Sequence, residues 1–195
     1  MKVKIDIPDG KIGEWEIETF EVPKEDISQM LSLMKTGRHV PSGTYKRLRR
    51  NNVTVMSNTP DEIRDGMYFV RKATGSVLIN GLGMGIIVKM LLEKSDVTDI
   101  TIIEKSKDVI ELVSDYYNDP RVTIINADCF EWKPPKGKRY NAVWHDIWDN
   151  ICADNLPEMK RLHRKYGKRA DYQESWCRGS CERQYKQDKL YYSYF

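Results

Sequence analysis

The chain has 195 residues, 40% hydrophobic and 31% charged, with a formal net charge of +3. This mixture fits one globular domain with a small extension and excludes a disordered or collagen-like chain. No apolar run reaches the roughly 18–20 residues of a membrane span, the charged start lacks an apolar signal core, and the four cysteines show no framework spacing, so a cytoplasmic protein with reduced thiols and no membrane partner is expected.

Residues 3–7 and 15–20 alternate in short apolar and polar runs, separated by Pro8-Asp9-Gly10 and Gly13, which predicts a β-hairpin. Pro23 in a first-turn position, then Ile27, Met30, Leu31 and Met34 at helical spacing, with Gly37 near the stop, predict a short helix. Residues 44–50 and 52–56 flank Asn51-Asn52, a pair that tolerates left-handed backbone, so a second hairpin is expected there. Thr59, Pro60 and Glu62 make a helix-start signal, with Thr59 as the cap.

From Ser76 the texture changes to apolar β runs alternating with helical ones: strands over 77–80, 99–104, 122–125 and 142–145, helices over 84–94 and 107–117. Such alternation predicts a parallel sheet with helices on its faces. After Asp149 a helix is expected with Leu156, Met159, His163 and Tyr166 on one face, then a second polar helix around 171–186. The tail 191–195 reads as a short strand or a docked aromatic end. Three units result: a β-rich extension with a short helix (1–70), an αβ core (71–150) and a shortened, helical, basic C-terminal segment (151–195).

The chemistry-bearing residues fall in the middle unit. The strand over 77–80 runs into Gly81-Leu82-Gly83-Met84-Gly85 and then a helix, so bare backbone N–H groups can approach a ligand. The spacing is G-x-G-x-G rather than G-x-G-x-x-G, which suits a nucleoside with an amino-acid-like tail better than a pyrophosphate. Glu104 ends the next strand at the roughly 20-residue offset where a carboxylate accepts from ribose hydroxyls. Asp128 follows the strand over 122–125 and can accept from an adenine amine, with Cys129 and Phe130 packed nearby; helix N-capping is its competing role.

Taken in order, residues 77–85, Ile103-Glu104-Lys105-Ser106 leading into Val109-Ile110-Glu111-Leu112, Asp119-Pro120-Arg121-Val122 with Asp128, and Tyr140-Asn141-Ala142-Val143-Trp144-His145-Asp146 resemble the class I S-adenosylmethionine-dependent methyltransferases. Within that fold they are most similar to spermidine synthases. The resemblance covers roughly residues 71–151. It implies a Rossmann-like α/β fold, a mainly parallel sheet with an N-terminal β-hairpin extension, that binds S-adenosylmethionine or its decarboxylated form. It also implies that Asn80, Gly81, Gly83 and Gly85 lie along the methionine part, Glu104 at the ribose, and Asp128 with Cys129 at the adenine. Asp146 would face the transferable group, and Asp146-Ile147-Trp148-Asp149 keeps the D-x-x-D spacing with which the family orients an amine acceptor and removes its proton. Asp146 and Asp149 are therefore the expected catalytic pair. Met84 stands where the family has an acid, and the chain after the fourth strand is short. Methyl transfer to a small-molecule acceptor is thus the first expectation, and aminopropyl transfer the second.

Other features weigh less. Pro134-Pro135 precede the fourth strand and no Pro-Cys nucleophile occurs, which disfavours two kinds of base methylation. The basic run 160–169 holds Lys160, Arg161, Arg164, Lys165, Lys168 and Arg169, either a solvated helix face or a nucleic-acid contact. A non-catalytic nucleoside-binding protein that engages nucleic acid is the alternative it leaves open, and a homodimer is open too. Cys152, His163, Cys177 and Cys181 lack paired zinc-site spacing, so no metal is expected. His145 should point away from Asp146 into the interior. The loop over 56–62 reads first as a structural helix cap, and the resemblance implies a second role, covering the cofactor and closing the acceptor pocket.

Overall fold

The computed structural model describes residues 3–24, 31 and 40–192. Its first sheet is antiparallel with order β1-β2-β3-β4, formed by β1 (Gly10–Ile12), β2 (Trp15–Val22), β3 (Gly43–Arg50) and β4 (Val53–Ser57). The β3–β4 hairpin turns at Asn51 and Asn52, with φ of 48° and 65°. Asparagine tolerates that region better than other non-glycine residues, as the sequence led one to expect. The first hairpin differs from expectation. Residues 3–7 form no strand; Val3, Ile5 and Ile7 are instead buried in the main apolar cluster while Lys4 and Asp6 face solvent. The alternation was a burial pattern without sheet pairing. The helix expected over 23–37 falls largely outside the described residues.

A helix, α1 (Pro60–Lys72), leads to the second sheet. Thr59 precedes it but its side chain makes no capping bond. Glu62 instead reaches back to the Ser57 N–H at 2.6 Å and its hydroxyl at 2.8 Å, a capping box displaced by two residues.

The second sheet is parallel throughout with order β7-β6-β5-β8-β9, formed by β5 (Gly75–Asn80), β6 (Val97–Glu104), β7 (Val122–Asn126), β8 (Tyr140–His145) and β9 (Ala170–Ser175). The helices are α2 (Ile86–Leu92), α3 (Lys107–Val113), α4 (Leu156–Tyr166) and α5 (Arg178–Tyr192). Alternate residues of the central strands serve two cores. Val77, Ile79, Ile100, Ile102 and Trp144 join the larger cluster with the N-terminal sheet, and Leu78, Ile103 and Val143 join the smaller one with Leu156, Met159, Leu162 and Tyr166 of α4.

β9 corrects the expected helix over 171–186. Lying at the sheet edge, Ala170–Ser175 carries little apolar signal, and α5 begins only at Arg178. Tyr191 and Tyr192 finish that helix rather than forming a strand. The chain runs outward from β5 to β7 and returns to β8 on the other side of β5, so a crevice opens at the carboxyl ends of β5 and β8, where sheets of this kind hold ligands.

Candidate functional site

A cavity of about 670 Å³ occupies that crevice, within the usual size of a small-molecule site. Its floor comes from strand ends: Gly81 and Gly83 after β5, Glu104 of β6, Asp128 and Cys129 after β7, and Asp146 and Asp149 after β8. The roof comes from the N-terminal sheet, through Trp15, Leu48, Arg50, Val55 and Met56.

Close backbone packing creates the floor. The N–H of Gly81 donates to the carbonyl of Ile103 at 2.9 Å, and that of Asp146 to the carbonyl of Asn80 at 2.8 Å. Gly81 has φ of 96°, and a Cβ there would lie 1.9 Å from the Asp146 carbonyl oxygen, so only glycine fits. Glu104 is buried, and its two oxygens accept from the N–H groups of Leu82 and Ser106, both at 2.8 Å. The carboxylate is thereby locked against the glycine turn, with lone pairs remaining for a ligand's hydroxyls.

Asp128 lines the cavity but caps no helix. One oxygen accepts from the Phe130 N–H at 2.8 Å, closing a turn rather than capping a helix, and the other pairs with Lys105 at 2.9 Å. That lysine and the Phe130 N–H hold the Asp128 carboxyl below its usual range. Burial pushes the neighbouring Cys129 thiol up to about 12, so it packs as an uncharged wall.

Asp146 and Asp149 both line the cavity yet sit in different surroundings. Burial pushes the Asp146 carboxyl up to about 7, the charges of Glu62 and Asp65 add to the rise, and the Trp144 indole opposes it. Asp149 lies at the rim, 41% exposed, with its Oδ2 3.2 Å from the Arg50 guanidinium. A second hollow of about 20 Å³, room for one water-sized group, shares Val55, Met56 and Asp146 with the main cavity and adds Glu62, Trp144 and Trp176. The Trp144 indole N–H is buried and, though near enough to Asp146 to lower its carboxyl, lies outside hydrogen-bond geometry with it.

Two expected site residues are not on the cavity lining. The Asn80 side chain is fully buried and donates to His145 Nδ1 at 2.8 Å, because β5 turns it behind the floor. Gly85 is backed by the Tyr117 ring, whose hydroxyl donates to the Met84 carbonyl at 2.6 Å, so it supports the turn from below. His145 points away from the cavity as anticipated, and its Nε2 faces Gln173. Met56 opens the loop expected to cover the cofactor, whereas the roof residues Trp15 and Arg50 were missed. They come from an antiparallel sheet with no motif, and only the cross-strand pairing of Trp15 with Arg50 brings those two together.

The basic run 160–169 is partly consumed by the fold. Lys165 Nζ donates to the carbonyls of Cys129, Phe130 and Trp132 at 2.5–3.0 Å, and Arg169 donates to those of Pro135 and Lys138. Arg161 lies over the Phe130 ring. Among the described residues no group of three or more His, Cys, Asp or Glu is arranged to hold a metal ion, and no helix is long and apolar enough to cross a membrane.

No family model matches the chain, and no curated protein matches it. Solved structures do. A spermidine synthase from Thermotoga maritima is 19% identical with a TM-score of 0.47, over 82% of this chain and 52% of that one. A spermidine synthase in complex with the transition-state analogue AdoDATO is 16% identical with a TM-score of 0.48, over 84% and 63%. The N-methyltransferase NodS from Bradyrhizobium japonicum is 11% identical with a TM-score of 0.42, over 55% and 57%. The chain is thus similar to spermidine synthases and methyltransferases, and spans less than two thirds of the length of each of these three.

Proposed function

We propose that the chain is an S-adenosylmethionine-dependent transferase, most simply a methyltransferase acting on a small acceptor. The observation that carries this reading is the convergence of the glycine turn, Glu104, Asp128 and Asp146 on one cavity of nucleoside size. Gly81 and Gly83 would admit the amino-acid tail, Glu104 would accept from the ribose hydroxyls, and Asp128 from the adenine amine. Bound S-adenosylmethionine supplies a carbon made electrophilic by its sulfonium. Asp146, with a carboxyl titrating near 7, is suited to take the acceptor's proton. The small hollow beside it would align the attacking atom, with Trp144 and Trp176 excluding water.

The lining carries six carboxylates, Glu14, Glu104, Asp128, Asp146, Asp149 and Glu158, against two cations, Arg50 and Lys105, which favours a positively charged ligand. Calorimetry with S-adenosylmethionine and S-adenosylhomocysteine tests the reading: both should bind, the sulfonium form more tightly, and absence of heat with either defeats it. Aminopropyl transfer is the second reading, favoured by Asp149 on the same lining as Asp146. Incubation with acceptor mixtures and each labelled nucleoside, the native or the decarboxylated one, separates the two by which group moves.

A further inference from the structure

We propose that Arg50 is the carboxylate receptor of this cavity and sets the choice between S-adenosylmethionine and its decarboxylated form. The inference rests on the cofactor reading above and goes beyond it to specificity. Among the described residues that line the cavity, Arg50 is the one arginine. The other cation, Lys105, pairs with Asp128 and is itself 80% exposed, directed to solvent at the adenine end. A carboxylate placed elsewhere on the floor meets Glu104, Asp128 or Asp146.

The guanidinium is held for this task. Its central carbon lies 5.5 Å from the centre of the Trp15 ring, a cation–π contact that holds the group over the ring. Its ion pair with Asp149 is a single contact, NH1 to Oδ2 at 3.2 Å, with both side chains above 40% exposed. A five-donor fork so engaged retains donors for a second carboxylate. The acid in contact with the glycine turn is Glu104, and its two oxygens are already engaged by the Leu82 and Ser106 N–H groups. Met84 is fully buried, and the Met56 thioether packs against Gly83 and accepts from the Met84 N–H at 3.4 Å.

Asp149 then acts as a competitor for Arg50. Where the ligand has no carboxylate, the Arg50–Asp149 pair stays intact; where it has one, the two carboxylates share the guanidinium. Arg50 and Asp149 therefore have opposite effects on a ligand that carries the group.

Calorimetric titration of the full chain with S-adenosylmethionine and decarboxylated S-adenosylmethionine, which differ only in that carboxylate, tests this. Arg50→Gln should weaken the first roughly 10- to 100-fold, the loss of a charge-assisted pair, and leave the second within about threefold. Asp149→Asn should tighten the first several-fold and weaken the second. Equal weakening of both ligands by Arg50→Gln, or no change in either, overturns the proposal, as does Asp149→Asn leaving the ratio of the two affinities unaltered. If the native chain binds neither nucleoside, the cofactor reading itself has failed, an outcome seen before any variant is made.

Discussion

Gly81→Ala probes the closest contact in the site. A methyl group there would stand 1.9 Å from the Asp146 carbonyl oxygen, whereas real Cβ contacts essentially never fall under 3.0 Å, so the turn and β8 must part by at least about 1.1 Å. The neighbouring bond from the Asp146 N–H to the Asn80 carbonyl, 2.8 Å long, would stretch or break. Strain from the φ of 96° adds about 1–3 kcal/mol, and the lost bond about 1 kcal/mol. A total of about 2–4 kcal/mol in a chain of this size lowers the unfolding midpoint by roughly 4–16 °C. Misplacing Asp146 by about 1 Å should slow transfer on the order of 100-fold. Gly83→Ala is the comparison for stability alone, since Gly83 lines the same cavity: its φ of 52° also adds strain, but its methyl meets the flexible thioether of Met56 rather than backbone. Thermal unfolding and S-adenosylhomocysteine calorimetry on both variants are the assay. Native melting and affinity for Gly81→Ala, or an equal fall in the unfolding midpoint from Gly83→Ala, would refute the reasoning.

Three further outcomes follow from the charges and burial. Transfer should rise with pH through about 7 as Asp146 ionises, and Asp65→Asn should move that limb to lower pH by removing a charge that raises the Asp146 value; a limb that survives Asp146→Asn assigns it elsewhere. Lys165→Met leaves the carbonyls of Cys129, Phe130 and Trp132 without their shared donor, so it should cost about 1–3 kcal/mol in denaturant unfolding and weaken nucleoside binding, while Lys160→Met changes neither. Burial lowers His145 to about 3 and His163 to about 4, so stability present above about 6.5 should be lost as pH falls and the unfolded chain takes protons the folded one refuses. The raised Asp146 works in the opposite direction between about 7 and its unfolded value, leaving a net loss from the two histidines that His145→Asn should reduce in a series of melts from pH 7 to 4.5.

The parallel sheet was legible because strands buried on both faces, such as Val77–Leu78–Ile79, read as unbroken apolar runs and end in glycine or acid. β9 was not, because an edge strand with Tyr172 as its one large apolar residue has no such run. Alternation over 3–7 reported burial correctly and pairing incorrectly, since a period of two is satisfied by any extended segment lying on a core. On the floor of the site, Gly81, Gly83, Glu104, Asp128, Cys129, Asp146 and Asp149 follow strand ends, and topology carries strand ends to one place. The Asn80 side chain lies behind the floor, on His145, because successive residues of a strand point to opposite faces. Trp15 and Arg50 of the roof had no local signal; Arg50 reaches the cavity because β3 pairs with β2 and their sheet shares the larger apolar cluster with the parallel one.

The shared apolar cluster has a thermodynamic corollary. Ile17 and Leu48 of the roof are buried together with Val77, Ile79 and Ile102 of the sheet that carries the floor, so roof and floor are positioned by the same core packing that stabilises the chain. Most of the ordering entropy of the cavity walls is then spent during folding rather than on ligand arrival. Association should carry a modest negative heat-capacity change, in proportion to the surface the nucleoside covers, without the larger value that ordering a loop would add.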